Sequence, residues 1–158
     1  MDFGLPTPRA LVTTLTDLLD RDVTLTPAPP FIPGPFRPAT LGVYVDDSLQ
    51  VVAVGVLDIA LSAYTSASLV MLPRKAAWEA VSSHTLTTPL RDQLHVVLTT
   101  LGELLTIPGE RIHLYAVHAA GDRPPEFVLH KTWVLERRLD VRITVPGYGS
   151  GLLALVRA

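Results

Sequence analysis

The chain has 158 residues, 48% hydrophobic and 18% charged, with 13 Lys and Arg against 15 Asp and Glu, a formal charge of −2 and a mean hydropathy of +0.35. This composition excludes a disordered chain and fits a single domain over residues 1–158, while the near-neutral balance excludes the basic footprint that nucleic-acid binding requires. Cysteine is absent, which removes disulfides and thiolate chemistry, and no apolar run reaches the ~18 residues of a membrane span; with no secretory pattern in Met1–Arg9, a cytoplasmic protein with neither a nucleic-acid nor a membrane partner is expected.

Thr7-Pro8 reads as an N-cap and first-turn pair, and Leu11, Val12, Leu15, Leu18 and Leu19 recur at helical spacing, which predicts a helix from about Pro8 to Asp20. Prolines at 27, 29, 30, 33, 35 and 38 remove backbone donors and fix φ, so 27–38 is expected to be an extended connector within the domain, laid against its surface by Phe31, Ile32 and Phe36. Thr40–Asp46 and Leu49–Leu57 are β-branched runs separated by the turn residues Asp46-Asp47-Ser48 and read as a hairpin. Both faces of the second strand are apolar, so both need cover, from the amino-terminal helix or from another subunit.

Asp58 is a candidate N-cap for a run in which Ala60, Ala63, Ala67 and Val70 repeat at three and four residues. A helix is expected there, with a strand over Ala67–Leu72 as the competing reading. Pro73 opens a further short helix through Val81. From Thr88-Pro89 onward, Leu90, Leu94, Val97, Leu98, Leu101, Leu104 and Leu105 fall within an arc of about 120° at 100° per residue, which predicts a long amphipathic helix running to Pro108-Gly109. Arg111–His118, Leu139–Val145 and Leu152–Val156 are strand candidates, and Asp122–Arg138 has room for a short helix. The expected class is α+β, an antiparallel or mixed sheet with the long amphipathic helix and additional helices packed on it.

On the long helix Asp92 and His95 lie three residues apart, opposite the leucine arc, so both project from one exposed face and are placed to act on one ligand. A carboxylate beside an imidazole is a workable acid–base or water-orienting pair. The ordinary alternative is a first-turn carboxylate favoured by the helix dipole beside a solvated histidine. The histidines at 84, 95, 113, 118 and 130 form no metal-ligand spacing, and no metal or cofactor is expected. Gly147-Tyr148-Gly149-Ser150-Gly151 lacks the pattern of a phosphate loop or a nucleophile elbow and reads as a turn between the last two strands. Lys131, Arg137, Arg138 and Arg142 read as a solvated basic face.

The order of elements resembles the CheX/CheC family, chemotaxis-type phosphatases that act on the receiver domain of a response regulator. In that family a Glu and an Asn separated by two residues on the long helix orient a water for attack on the aspartyl phosphate. Leu90-Arg91-Asp92-Gln93-Leu94-His95 occupies that place here, with Asp92 where the Glu would be and His95 where the Asn would be. Both depart from the pattern, since aspartate is one methylene shorter and an imidazole is not an amide. The resemblance therefore implies a non-catalytic relative that binds a protein partner, a receiver domain being the named candidate. The alternatives are a phosphatase using Asp92 and His95 as its catalytic pair, with Mg²⁺ supplied by the receiver, and a structural homodimer.

Overall fold

The computed structural model describes residues 4–158. Thr7 caps helix α1 (Pro8–Leu19), its Oγ1 accepting from the Ala10 amide at 3.1 Å, and Leu11, Leu15 and Leu19 are the buried stripe. Strands β1 (Thr24–Pro27), β2 (Ala39–Val45) and β3 (Val51–Asp58) follow, then α2 (Ile59–Leu69), α3 (Arg74–Ser83) and α4 (Thr88–Gly102). Strand β4 (His113–His118), the short helix α5 (Glu126–Lys131) and the strands β5 (Arg138–Val145) and β6 (Gly149–Arg157) complete the chain. The strands form one antiparallel sheet in the order β1-β5-β6-β3-β2-β4. The class is α+β, with the long helix and its companions packed on the sheet, as the sequence led one to expect.

The hairpin turn is set by Asp46, whose Oδ1 accepts from the amides of Ser48 and Gln50 at 2.9 and 3.0 Å. Residues 59–69 are helical and no strand forms over 67–72, which decides that ambiguity. Asp58 caps α2 by accepting from the Leu61 amide at 2.8 Å; burial raises its carboxyl above the ordinary range, against the pull of two backbone donors and of Arg142 and Arg37. Helix α2 is buried on nearly every side because its residues are small. Ser62 and Thr65 return their hydroxyls to the carbonyls of Asp58 and Leu61, both at 2.7 Å, and Gly151 of β6 admits the helix so closely that a Cβ there would lie 2.4 Å from the Leu61 nitrogen.

Four expectations are corrected. The proline stretch is not wholly a connector, because its first residue ends β1, which pairs with β5. Pro27 is tolerated there because β1 is an edge strand. The long helix stops at Gly102, well before Pro108: the close Tyr44 ring, 2.6 Å from where a Cβ would stand, requires glycine there, and glycine weakens a helix. Leu104 and Leu105 leave the helix through i to i+3 bonds, and Leu105 packs beside Tyr44.

The second face of β3 is covered not by α1 but by other segments of the same chain. Leu41, Val43, Val54, Val56, Ala154 and Val156 line it, with Phe31 of the proline strap and Val128 of α5 buried against them. Arg138 and Asp140 hold this cover in place. They form an ion pair at 2.6 Å with side chains only 4% and 7% exposed. Asp140 accepts from the Phe31 amide at 2.9 Å, while Arg138 donates to the carbonyls of Phe31, Thr132 and Val134. Arg138 is therefore a buried clamp and not part of a solvated basic face.

Candidate functional site

Helix α4 is fixed by its buried stripe of Leu90, Leu94, Val97, Leu98 and Leu101. Gly42 of β2 lies directly beneath it, where a Cβ would stand 2.7 Å from Leu98 Cδ2. The Tyr44 hydroxyl donates to the Leu98 carbonyl, and burial pushes the phenol well above its ordinary pKa, so it remains a neutral donor. With one face pinned in this way, the 3.6-residue period turns Asp92, His95 and Thr99 outward.

Two cavities of about 350 and 340 Å³ lie along that outward face, between α4 and the edge strand β4. Asp92 lines the first, whereas His95 and Leu114 line both, which makes the two one groove. The structure thus brings the two residues singled out from sequence to one open surface. Neither side chain makes a hydrogen bond or ion pair with another described residue. Asp92 lies beyond the first turn of α4, which contains no acidic residue, so the dipole account of Asp92 does not apply.

Residues that the sequence reading did not single out close the ends of the groove. Arg91 grips Asp122 with two nitrogens at 2.8 and 3.3 Å. At the other end His113 Nε2 and Asp47 Oδ1 are 2.7 Å apart. Arg91 and Asp122 are 31 positions apart and His113 and Asp47 are 66 apart, separations at which no local pattern signals a pair. Tyr115 contributes an exposed ring to the groove wall because the β2–β4 register shifts there: Val43 pairs with Ala116 and Tyr44 with Leu114, leaving Tyr115 as a bulge. A bulge twists an edge strand away from strand-to-strand pairing, so β4 offers side chains, and not its backbone ladder, to whatever docks.

The remaining sequence candidates take structural roles. The 146–148 turn joins β5 to β6 with Gly147 at φ 87°, and Arg21 donates to the Pro146 carbonyl at 2.9 Å. Trp78 Nε1 donates to the Tyr148 carbonyl at 2.9 Å, and Ser150 pairs with Thr144 across the hairpin at 2.7 Å. Among the described residues no three His, Asp or Glu side chains gather closely enough to hold a metal ion, and no helix is long and apolar enough to cross a membrane.

No family model matches the chain, and no curated protein does. Solved structures do. FliM from H. pylori, in a complex with FliG, superposes with a TM-score of 0.64 at 9% identity, over 98% of this chain and 88% of that one. FliM from H. pylori in a complex with SpeE gives a TM-score of 0.64 at 10% identity, over 95% and 80%. FliY from Thermotoga maritima gives 0.59 at 13%, over 99% and 86%. The chain has the fold shared by CheC and the FliM middle domain, which is the fold its sequence resemblance implied.

Proposed function

We propose that this chain is a non-catalytic protein-binding domain whose working surface is the groove between α4 and β4, and that its partner is a receiver domain. The observation that carries the reading is the placement of Asp92 and His95. Both stand unpaired in one groove, beside an exposed aromatic ring and half-buried apolar side chains of β4. A groove with an apolar floor, an exposed tyrosine and a few polar groups of both signs has the make-up of a protein interface core. The structural relatives that were solved as complexes with FliG and SpeE agree with a fold that carries docking surfaces.

The test is a titration of the isotope-labelled chain with a phosphorylated receiver domain from the same cell, followed by amide shifts and by the rate of phosphate loss. Shifts confined to α4 and β4, a dissociation constant raised about tenfold by Asp92→Ala or His95→Ala, and an unaltered rate of dephosphorylation are expected. Catalytic acceleration that Asp92→Ala abolishes would replace this reading with the phosphatase. Shifts elsewhere on the molecule would sink both.

A further inference from the structure

On the far side of the sheet the proline strap carries a tight turn. Gly34 and Arg37 exchange backbone hydrogen bonds of 3.2 and 3.0 Å, with Pro35 and Phe36 at the tip. Pro33, Pro35 and Pro38 restrict φ through the turn, and the Arg37 guanidinium lies 4.5 Å over the ring of Phe31, itself buried on the sheet. The tip is therefore held, and Phe36 stands 96% exposed on it. Alongside runs a groove of about 470 Å³ between the strap and the α5 region, with Pro38, Ala39, Leu41 and Leu129 in its wall and Phe36 outside it. Arg37 and Arg123 line the groove together with Asp122 and Glu126, two charges of each sign.

We propose that this face is self-complementary and that a second copy of the chain docks on it, each copy seating its Phe36 in the groove of the other. A two-fold axis converts a knob and a hole on one face into two identical contacts. The charges of the groove select the occupant. A groove that carries both signs, Arg37 and Arg123 against Glu126 and the Arg91-paired Asp122, can be matched by its own two-fold image, whereas an anionic lipid surface would meet Glu126 as repulsion. The groove is large enough for a phenyl ring, and a ring already fixed on a proline turn loses little freedom on docking. The need for cover on the second face of β3 plays no part here, because that face is already buried within the chain.

The experiment is sedimentation equilibrium of the full chain, of Phe36→Asp and of Gly34→Trp. Gly34 has no positive φ, and nothing lies within 4 Å of a Cβ placed on it, so the indole obstructs the groove without backbone strain. The wild type is expected to dimerise, and each variant to raise the dimer dissociation constant roughly 100-fold, about tenfold for each of two lost contacts, with an unchanged circular dichroism spectrum. An equimolar mixture of the two variants restores one knob-in-groove contact and should associate at a strength between wild type and either variant alone. A wild type that is monomeric at high concentration overturns the proposal, as does a dimer indifferent to Phe36→Asp, or a mixture no stronger than its components. Monomers that co-sediment with phosphatidylglycerol vesicles only when Phe36 is present would assign the face to lipid and overturn it as well.

Discussion

A single phenol fixes α4 over the sheet. The Tyr44 ring fills the space against Gly102 while its hydroxyl donates to the Leu98 carbonyl, so the helix that displays Asp92 and His95 is held both by packing and by a polar tie. Tyr44→Phe keeps the ring and removes the tie, and should cost about 1 kcal/mol in urea unfolding. The pH dependence carries a sign. Burial raises the folded-state pKa of Tyr44 above its ordinary value of 10.0, so between those two values the unfolded chain has lost a proton that the folded chain retains. Stability supplied by this group is complete below pH 10 and declines as the pH rises beyond it, by at most about 1.4 kcal/mol per pH unit. Urea midpoints from pH 8 to 11 should fall more steeply for wild type than for Tyr44→Phe; parallel curves would show that the phenol is not buried as described.

At the scale of elements, the strap and α5 replace what would otherwise be a third layer, and the Arg138–Asp140 pair locks them down. Asp140→Ala leaves a guanidinium buried without its counter-charge and removes the acceptor of the Phe31 amide, a change worth roughly 3–5 kcal/mol. Hydrogen exchange should show the Phe31 amide losing protection at lower denaturant than amides of β3; equal loss at both would mean that strap and sheet unfold as one. These elements also mark the limit of what the sequence reveals. The helices announce themselves because Leu11 to Leu19 and Leu90 to Leu101 repeat at their own period, and the outward placement of Asp92 and His95 follows from that same period. Alternation in 51–57 likewise shows that both faces of β3 are apolar. What covers the second face is decided by Phe31 and Val128, which lie far from β3 in the chain and follow no period shared with it. Charge gave a wrong signal at Arg138, since the partners that hold it include the Phe31 carbonyl 107 residues away, which no local pattern announces. Periodicity likewise overran the end of α4, because the leucine spacing runs on past Gly102, the glycine set against a tyrosine on another element.

For the whole molecule the sheet acts as a partition, with the α4–β4 groove at one edge of its helical side and the Phe36 turn beyond the other face. Separated surfaces that share no packing contribute independently. Phe36→Asp should therefore leave the affinity of a partner bound along α4 unchanged, and Asp92→Ala with His95→Ala should leave the sedimentation of the chain unchanged. The partition has one gap. Asp122 lines both the α4–β4 groove and the groove beside the strap, and it is held from the α4 side by Arg91. Asp122→Ala releases Arg91 and removes an anion from both surfaces at once. The pair is well exposed, which limits its worth to about 1 kcal/mol, so each association should weaken by no more than about fivefold. Parallel titrations of partner binding and of self-association on the same variant measure this directly. A loss confined to one of them would place Asp122 on that surface alone and leave the two grooves uncoupled.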